Sequence, residues 1–512
     1  MIEFAQHQKD AIAFQQVHEN SICAMQTGTG KSATTIGSEL VNLQQKKLDK
    51  CIFVCTKGSI GEVLNDYSKF FNFQPMQLWD QNALFEFFNS DKTVAVTRYE
   101  WLKYFDEDFC KMHILGQNLG LWWDEAQKLK NTGTIAHKNA KLLRQYSKSF
   151  HLVTATPIMT KLDDLWGLMS LVDTNVLGSF DDFSDNYYEK VLVPHPKYSR
   201  KMKRKCPTCG CKMQFLSTGW NVCTNPYCQS IQTPMGFIPY KEKVRCVWDL
   251  IEYKNLDILS KTLQPYMFCF YPEQDINYIL HRFDLADDTA EDYKKAAKGI
   301  FDSKNSDDIS FATRMIELQY VVDRSYEKKK ELHKLATQLK DKGFVLYVSL
   351  YNSIGFNNTN TTLEDVQKVL DNVENLEYRT YSGKESDSER DENKAWFQAD
   401  PKNRCLIITE AGGASLNLQV TNEFIFYNLP AGFGKMSQAF GRVVRLFSTF
   451  KSFNIHFILG SHTIDDYKYA GFLMYEELMK KLLNNKLINT SKPISFNNFV
   501  KAEMRKDTCW NY

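Results

Sequence analysis

Six consecutive residues, Thr27-Gly28-Thr29-Gly30-Lys31-Ser32, carry the clearest chemical signal in the sequence. They stand between an apolar run, SICAM (21–25), and a helical pattern, SATTIGSELVNL, which is the context a phosphate-binding loop requires. Gly28 and Gly30 let backbone N–H groups close around phosphate oxygens with no Cβ in the way. Lys31 would reach the β and γ phosphates, and Ser32 would ligate Mg²⁺. The competing reading is a glycine-rich turn that caps a helix; lysine, serine, strand and helix together favour nucleotide binding, with Thr27 and Thr29 in the loop.

Asp124-Glu125 follow a second apolar run, LGLWW (119–123). Alone, such a pair reads as an acidic helix start. After a buried strand and downstream of a phosphate loop, Asp124 would hold Mg²⁺ and Glu125 would orient or deprotonate the attacking water. The intervening length accommodates two strand and helix units, so the acids can emerge beside the loop. Near the other end of the chain, Gln438, Arg442 and Arg445 fall at i, i+4 and i+7, one face of a helix. Their guanidinium groups, arriving from a second domain, would neutralise charge on a transferring phosphoryl group; the bland alternative is a solvated basic face.

The elements that must position these groups are short buried strands alternating with helical patterns. SICAM, CIFVC (51–55), TVAVT (93–97), LGLWW and HLVTA (151–155) form one series; FVLYVSLY (344–351), LEYRTY (376–381), RCLIIT (404–409), EFIFYN (423–428) and NIHFIL (454–459) form another. The reading is an α/β chain with two tandem parallel-sheet domains, spanning 1–178 and 325–480. A helical insertion at 179–324 and a polar tail at 481–512 complete it. At 512 residues, with 43% hydrophobic and 24% charged residues, the composition is globular and leaves room for about three domains. A net charge of +2 means that phosphate binding must come from local basic clusters, since there is no global positive field. The N-terminus MIEFAQHQKD lacks an apolar stretch and no run is long enough to span a membrane, so the expectation is a soluble, intracellular protein, cytoplasmic or nuclear.

With these residues assembled, the chain resembles superfamily-two helicases, and within them the Swi/Snf-like ATPases. The resemblance covers about 1–175 and 325–470: Phe4 with Gln8 as the adenine-reading glutamine motif, TGTGKS as motif I, CTKGSI as Ia, VTRYEWL as Ib, DEAQKLKN as the DEAH-type box, TATPIMTKLDDLWGLMSLV as motif III, and YSGKESDSER, TEAGGASLNLQ and QAFGRVVR as second-domain motifs. Gln127 stands where a histidine is usual, and TGTGKS replaces the family's MGLGKT. The resemblance implies two RecA-like domains with ATP between them, Gln127, Gly413 and Gln438 beside the nucleotide, and DNA across the outer faces. Thr56, Lys57, Arg98, Ser415 and Asn417 would touch DNA phosphates; Arg98 and Lys57 read equally well as ordinary surface charges.

Within the insertion, Cys206 and Cys209 form C-x2-C, and Cys223 and Cys228 form C-x4-C. Thiolates at such spacing on tight turns can meet one Zn²⁺, giving a zinc ribbon at about 200–232, with Cys211 as a competing ligand. The preceding basic run KYSRKMKRK, including Lys201, Lys203 and Arg204, would contact DNA or remain a solvated face. The expected function is an ATP-dependent translocase on duplex or branched DNA, working as a monomer. The alternatives are a strand-separating DNA or RNA helicase, or a zinc-ribbon adaptor of a replication or transcription complex with a switch-like ATPase core.

Overall fold

The computed structural model describes residues 3–194, 246–302, 311–349, 362–410, 416–430 and 432–484, together with positions 209, 211, 213–215, 221–223 and 231–232. Its first lobe is built on β1 (Asn20–Met25), β2 (Lys50–Cys55), β3 (Met76–Leu78), β4 (Val94–Arg98), β5 (Leu119–Trp123) and β6 (Ser149–Thr154). β2, β5 and β6 are buried at every residue, as strands covered by helices on both faces must be. Three strands separate the phosphate loop from the acid pair in sequence, not two. The additional one, β3, is a three-residue edge strand too short to leave a periodic pattern.

The domain boundaries differ from the sequence reading. A hairpin of β7 (Tyr188–Pro194) and β11 (Cys246–Tyr253) leaves the first lobe and returns to it. Between its arms lie the short strands β8 (Met213–Phe215), β9 (Asn221–Cys223) and β10 (Ile231–Gln232), paired antiparallel. β12 (Met267–Phe270) then adds parallel to β1, completing the order β12-β1-β6-β5-β2-β4-β3. β13 (Asp275–Phe283) already belongs to the second sheet, so the crossing between lobes lies at 271–274 and the region 179–324 is not one helical insertion. Alternating exposure along β13 hid it: as an edge strand it carries polar residues such as Asn277 and His281, where the central β14 is apolar and buried throughout.

The second sheet, with β14 (Phe344–Tyr347), β15 (Glu377–Tyr381), β16 (Arg404–Ile408), β17 (Glu423–Phe426) and β18 (Ser452–Gly460), has the order β13-β18-β17-β14-β16-β15, and every pair is parallel. Helices Asp287–Asp302 and Phe311–Arg324 pack on its core through Tyr293, Ala297, Leu318 and Val322. The helix Ile464–Asn484 bridges the lobes. Its Tyr469 and Phe472 enter the second lobe's core, whereas Tyr475, Leu478, Met479 and Leu482 enter the first lobe's. Ser260 Oγ ties its end by donating to the Leu482 carbonyl at 2.9 Å. The helix passes the tail boundary expected at 481; residues beyond 484 lie outside the described set.

A fully buried ion cluster pins this lobe. Lys328 Nζ lies 3.0 Å from Asp323 and 2.8 Å from Asp465, with no exposure of any of the three side chains. Gln319 and Asn428 donate to the same carboxylates. Lys328→Met would leave two carboxylates buried without their cation, and breaking a buried pair in this way costs about 3–5 kcal/mol. Equilibrium urea unfolding should show an unfolding free energy lower by that amount and hence a lower midpoint; an unchanged midpoint would mean that the cluster adds nothing to stability.

Candidate nucleotide site between the two lobes

The loop after β1 has the conformation its glycines permit. Gly28 and Gly30 have φ of +78° and +80°, and Gly30 caps the helix Lys31–Gln44 in the left-handed region. Thr29 Oγ1 and Lys31 Nζ donate to the Gln26 carbonyl at 2.7 and 3.3 Å, which holds the loop in its tight arc. The glycines also serve the lobe junction. A Cβ on Gly28 would stand 2.2 Å from Arg445 Cδ, and one on Gly441 would stand 2.2 Å from Thr27 Oγ1. The phosphate loop and the arginine segment therefore touch, and no side chain fits between them.

Asp124 and Glu125 leave the end of β5. Asp124 is buried, its N–H donates to the Val54 carbonyl at 2.8 Å, and Tyr99 donates to the Asp124 carbonyl at 2.8 Å. Glu125 takes φ of +53°, unusual for a residue with a Cβ, and this turns its carboxylate away from the strand direction. Burial raises the pKa of Asp124, Glu125 adds to the effect, and Lys31 opposes it. Burial lowers the pKa of Lys31; Glu125 and Asp124 raise it, while Arg445 and Arg442 lower it further. These five groups therefore share one electrostatic site, three from the first lobe and two from the second.

The arginines do not reach it along one helix face. The helix Phe433–Phe440 stops at Gly441, whose N–H bonds back to the Ser437 carbonyl, so only Gln438 is helical. Arg442 and Arg445 lie in the turns that follow, where close packing of Gly441 on Thr27 displaces a straight helix. Both remain in place for chemistry. Arg442 is buried, with its pKa lowered by burial and raised by Glu125; Arg445 is pushed down to about 10 by burial and by Arg442. Arg445 Nη2 donates to the Leu416 carbonyl at 2.6 Å, and its buried Nε has no partner among the described residues. Among those residues, too, no carboxylate lies within ion-pair distance of Lys31, Arg442 or Arg445. Three converging cations with an orphaned donor fit a polyphosphate anion. Ser32 and the Asp124 carboxylate offer hard oxygen ligands suited to its Mg²⁺.

A hydrogen-bonded chain joins the acid to the second lobe. Gln127 Nε2 donates to the Glu125 carboxylate, and Gln127 Oε1 accepts from Thr154 Oγ1 at 2.6 Å. The Thr156 N–H donates to Thr154 Oγ1 at 3.0 Å, and Gln438 Nε2 donates to Thr156 Oγ1 at 2.7 Å. Gln127 is thus placed to orient Glu125. Sequence reasoning named the TATP segment that begins at the end of β6, the strand between β1 and β5, but gave Thr154 and Thr156 no role of their own. A cavity of about 380 Å³ lies beside this chain, lined by Gln26, Thr156 and Gln438 and by Tyr271, Tyr278 and Tyr475.

Gln8 is buried and engaged at both ends: Oε1 accepts from the Ala5 N–H at 2.9 Å and Nε2 donates to the Gly30 carbonyl at 3.3 Å. Phe4 lies against Gly37 and Phe71. On the outer side, register places Cys55 opposite Arg98, so Thr56 and Lys57 emerge next to Arg98 at the strand ends. Thr56 is buried against Ser59 at 2.7 Å, Lys57 is exposed, and Arg98 lies 5.1 Å over the Trp101 ring. Asn417 is exposed, and its carbonyl accepts from Gln398 at 2.7 Å. Gly413, Ser415, Lys201, Lys203, Arg204, Cys206 and Cys228 lie outside the described residues. Cys209 is exposed, Cys211 half-buried, and Cys223 ends β9. Among the described residues no group of three His, Cys, Asp or Glu side chains forms a metal site, and no helix is long and apolar enough to cross a membrane.

Comparison with known families matches the two lobes in turn. Residues 7–211 match the SNF2-related domain, and residues 329–447 match the helicase conserved C-terminal domain. The chain pairs an SNF2-related domain with a helicase C-terminal domain. The uncharacterized ATP-dependent helicase YqhH of Bacillus subtilis is 25% identical over 391 residues, covering 73% of this chain and 61% of the relative. The chromatin-remodeling ATPase INO80 of Saccharomyces cerevisiae is 25% identical over 202 residues, 36% of this chain. The chain spans 61% of the bacterial relative's length and 13% of the yeast one's. Among solved structures, the SWI2/SNF2 ATPase core of Sulfolobus solfataricus in complex with dsDNA aligns with TM-score 0.38 and 17% identity, covering 94% of this chain and 97% of that one.

Proposed function

We propose that the chain is a DNA-dependent ATPase that translocates along duplex DNA and so remodels forks, branches or bound proteins. The observation that carries this reading is the lobe junction, where Arg445 packs on Gly28 and Gly441 on Thr27 of the phosphate loop, with Asp124 and Arg442 buried. Lys31, Arg442 and Arg445 would grip the triphosphate oxygens, and Glu125, steered by Gln127, would orient the water that attacks the γ phosphorus. Ser32 and Asp124 would hold Mg²⁺, which would supply charge neutralisation for phosphoryl transfer. Because the cations come from both lobes, the site is complete only when the lobes close, which couples hydrolysis to lobe movement.

Thr56, Lys57, Arg98 and Asn417, with Ser415 and the basic run at 197–205, are the residues assigned to DNA phosphates, contacts that position the lobes without reading sequence. The ATP-dependent helicase named among the relatives supports ATP-driven action. The test is an ATPase panel with single-stranded, duplex and forked DNA and with RNA. Duplex DNA should stimulate turnover at least about ten-fold at low salt, with stimulation falling as salt displaces phosphate contacts. Stimulation by RNA alone, or by no polymer, overturns the assignment. For the cysteine cluster the reading is one structural zinc held by Cys206, Cys209, Cys223 and Cys228; metal analysis of freshly purified protein that finds none removes it.

A further inference from the structure

We propose that the cavity of about 380 Å³ between the lobes is a second ligand site, which takes a small organic cation (an amidinium, guanidinium or primary ammonium) and, by bridging the lobes, slows turnover. The effect on turnover rests on the ATPase reading above; the binding does not. The volume falls at the small end of the range of about 300–1,000 Å³ usual for ligand pockets. Gln26 and Thr156 enter its wall from the first lobe and Tyr278 and Gln438 from the second, while Tyr475 and Glu476 come from the helix Ile464–Asn484 that joins them. Two buried polar atoms of that wall, Gln26 Oε1 and the Tyr475 hydroxyl oxygen, have no hydrogen-bond partner among the described residues. Tyr475 is only 4% exposed, so bulk water does not serve it. Both atoms accept hydrogen bonds, and a buried acceptor left unmade is unfavourable, which calls for a ligand that offers N–H groups.

The sign of the ligand follows from the charges around it. Glu273 and Glu476 line the cavity against a single lysine, Lys480. Tyr278 donates to the Glu476 carboxylate, which keeps capacity for a second donor. Burial raises the pKa of Glu476, while the Tyr278 bond and Lys480 lower it; a cation alongside would favour the ionised form further. The tyrosine rings add to the attraction, since the face of an aromatic ring is negative. The phosphate site has the opposite character, because Lys31, Arg442 and Arg445 converge there and repel a cation. Thr156 and Gln438, bonded to each other across the lobes at 2.7 Å, both line the cavity. An occupant held against them and Glu476 ties the lobes at their present spacing, and hydrolysis that needs lobe movement slows.

The test is calorimetric titration of the full chain with benzamidine and with its neutral counterpart, benzamide. Benzamidine should saturate at one per chain, and benzamide should bind at least about ten-fold more weakly, because the charge-assisted bond to Glu476 is lost. Glu476→Gln, whose amide still accepts from Tyr278, should weaken benzamidine about ten-fold, and Tyr475→Phe, which keeps the ring, about three-fold. Saturating benzamidine should lower kcat at least about two-fold and leave ATP affinity unchanged. Benzamidine that does not saturate, benzamide that binds as well, or a Glu476→Gln chain that binds benzamidine as the parent does would each overturn the site. Displacement of benzamidine by ATP would overturn it too, by placing the ligand among the phosphate groups. Binding with kcat unchanged overturns the bridging role. A chain that binds benzamidine through Glu476 and hydrolyses no ATP upholds the site and overturns the ATPase reading alone.

Discussion

Glu125→Gln is expected to bind ATP as the parent chain does and to lose turnover by about 10²–10⁴-fold, the range of a positioned general base. The exchange keeps the side chain's size and leaves an amide that Gln127 can still meet, so neither the loop nor Lys31 should move. What is lost is the carboxylate that accepts a proton from, or orients, the attacking water. Single-turnover hydrolysis alongside equilibrium nucleotide binding separates the two effects. A variant that hydrolyses at the parent rate would remove Glu125 from the mechanism, and one that fails to bind ATP would mean that the carboxylate holds the site together.

Arg442→Ala should lower kcat by about 10³-fold with a much smaller change in ATP affinity, because an arginine supplied from a second domain acts mainly on transition-state charge. The effect should be far larger than for Lys394→Ala. Lys394 also joins the lobes, 3.6 Å from Glu62, but both partners are partly exposed and such a pair is worth little. Steady-state kinetics on the two variants checks this. Equal, small losses would show that Arg442 serves as lobe contact and not as a catalytic cation. Arg445 is held more firmly, by its bond to the Leu416 carbonyl and its packing on Gly28, so Arg445→Ala should disturb loop geometry as well as charge.

Much of the site was readable because its chemistry is local. A buried strand ending in a glycine-bearing or acidic cluster is a pattern within a dozen residues, and β1 with TGTGKS and β5 with Asp-Glu obey it. The central strands were legible for the same reason: covered on both faces, they are buried and mostly apolar. Edges escaped. β3 is too short, β12 is four residues, and β13 alternates, because only one neighbour and one face constrain an edge strand.

The placement of the arginines escaped in part. A spacing of i, i+4 and i+7 describes a helix only while the helix continues, and contact between Gly441 and Thr27, four hundred residues apart in order of magnitude, ends it. The chain Glu125–Gln127–Thr154–Thr156–Gln438 and the cluster Lys328–Asp323–Asp465 are of the same kind. Each polar group there is satisfied by a partner that only folding brings near. By itself, then, the order of residues determined which chemical groups exist and which strand end presents each. Tertiary structure alone decided where one lobe stops, which side chains the two lobes share, and how Glu125 is aimed, since parallel sheets and lobe contacts join residues whose separation along the chain carries no record of their distance in space.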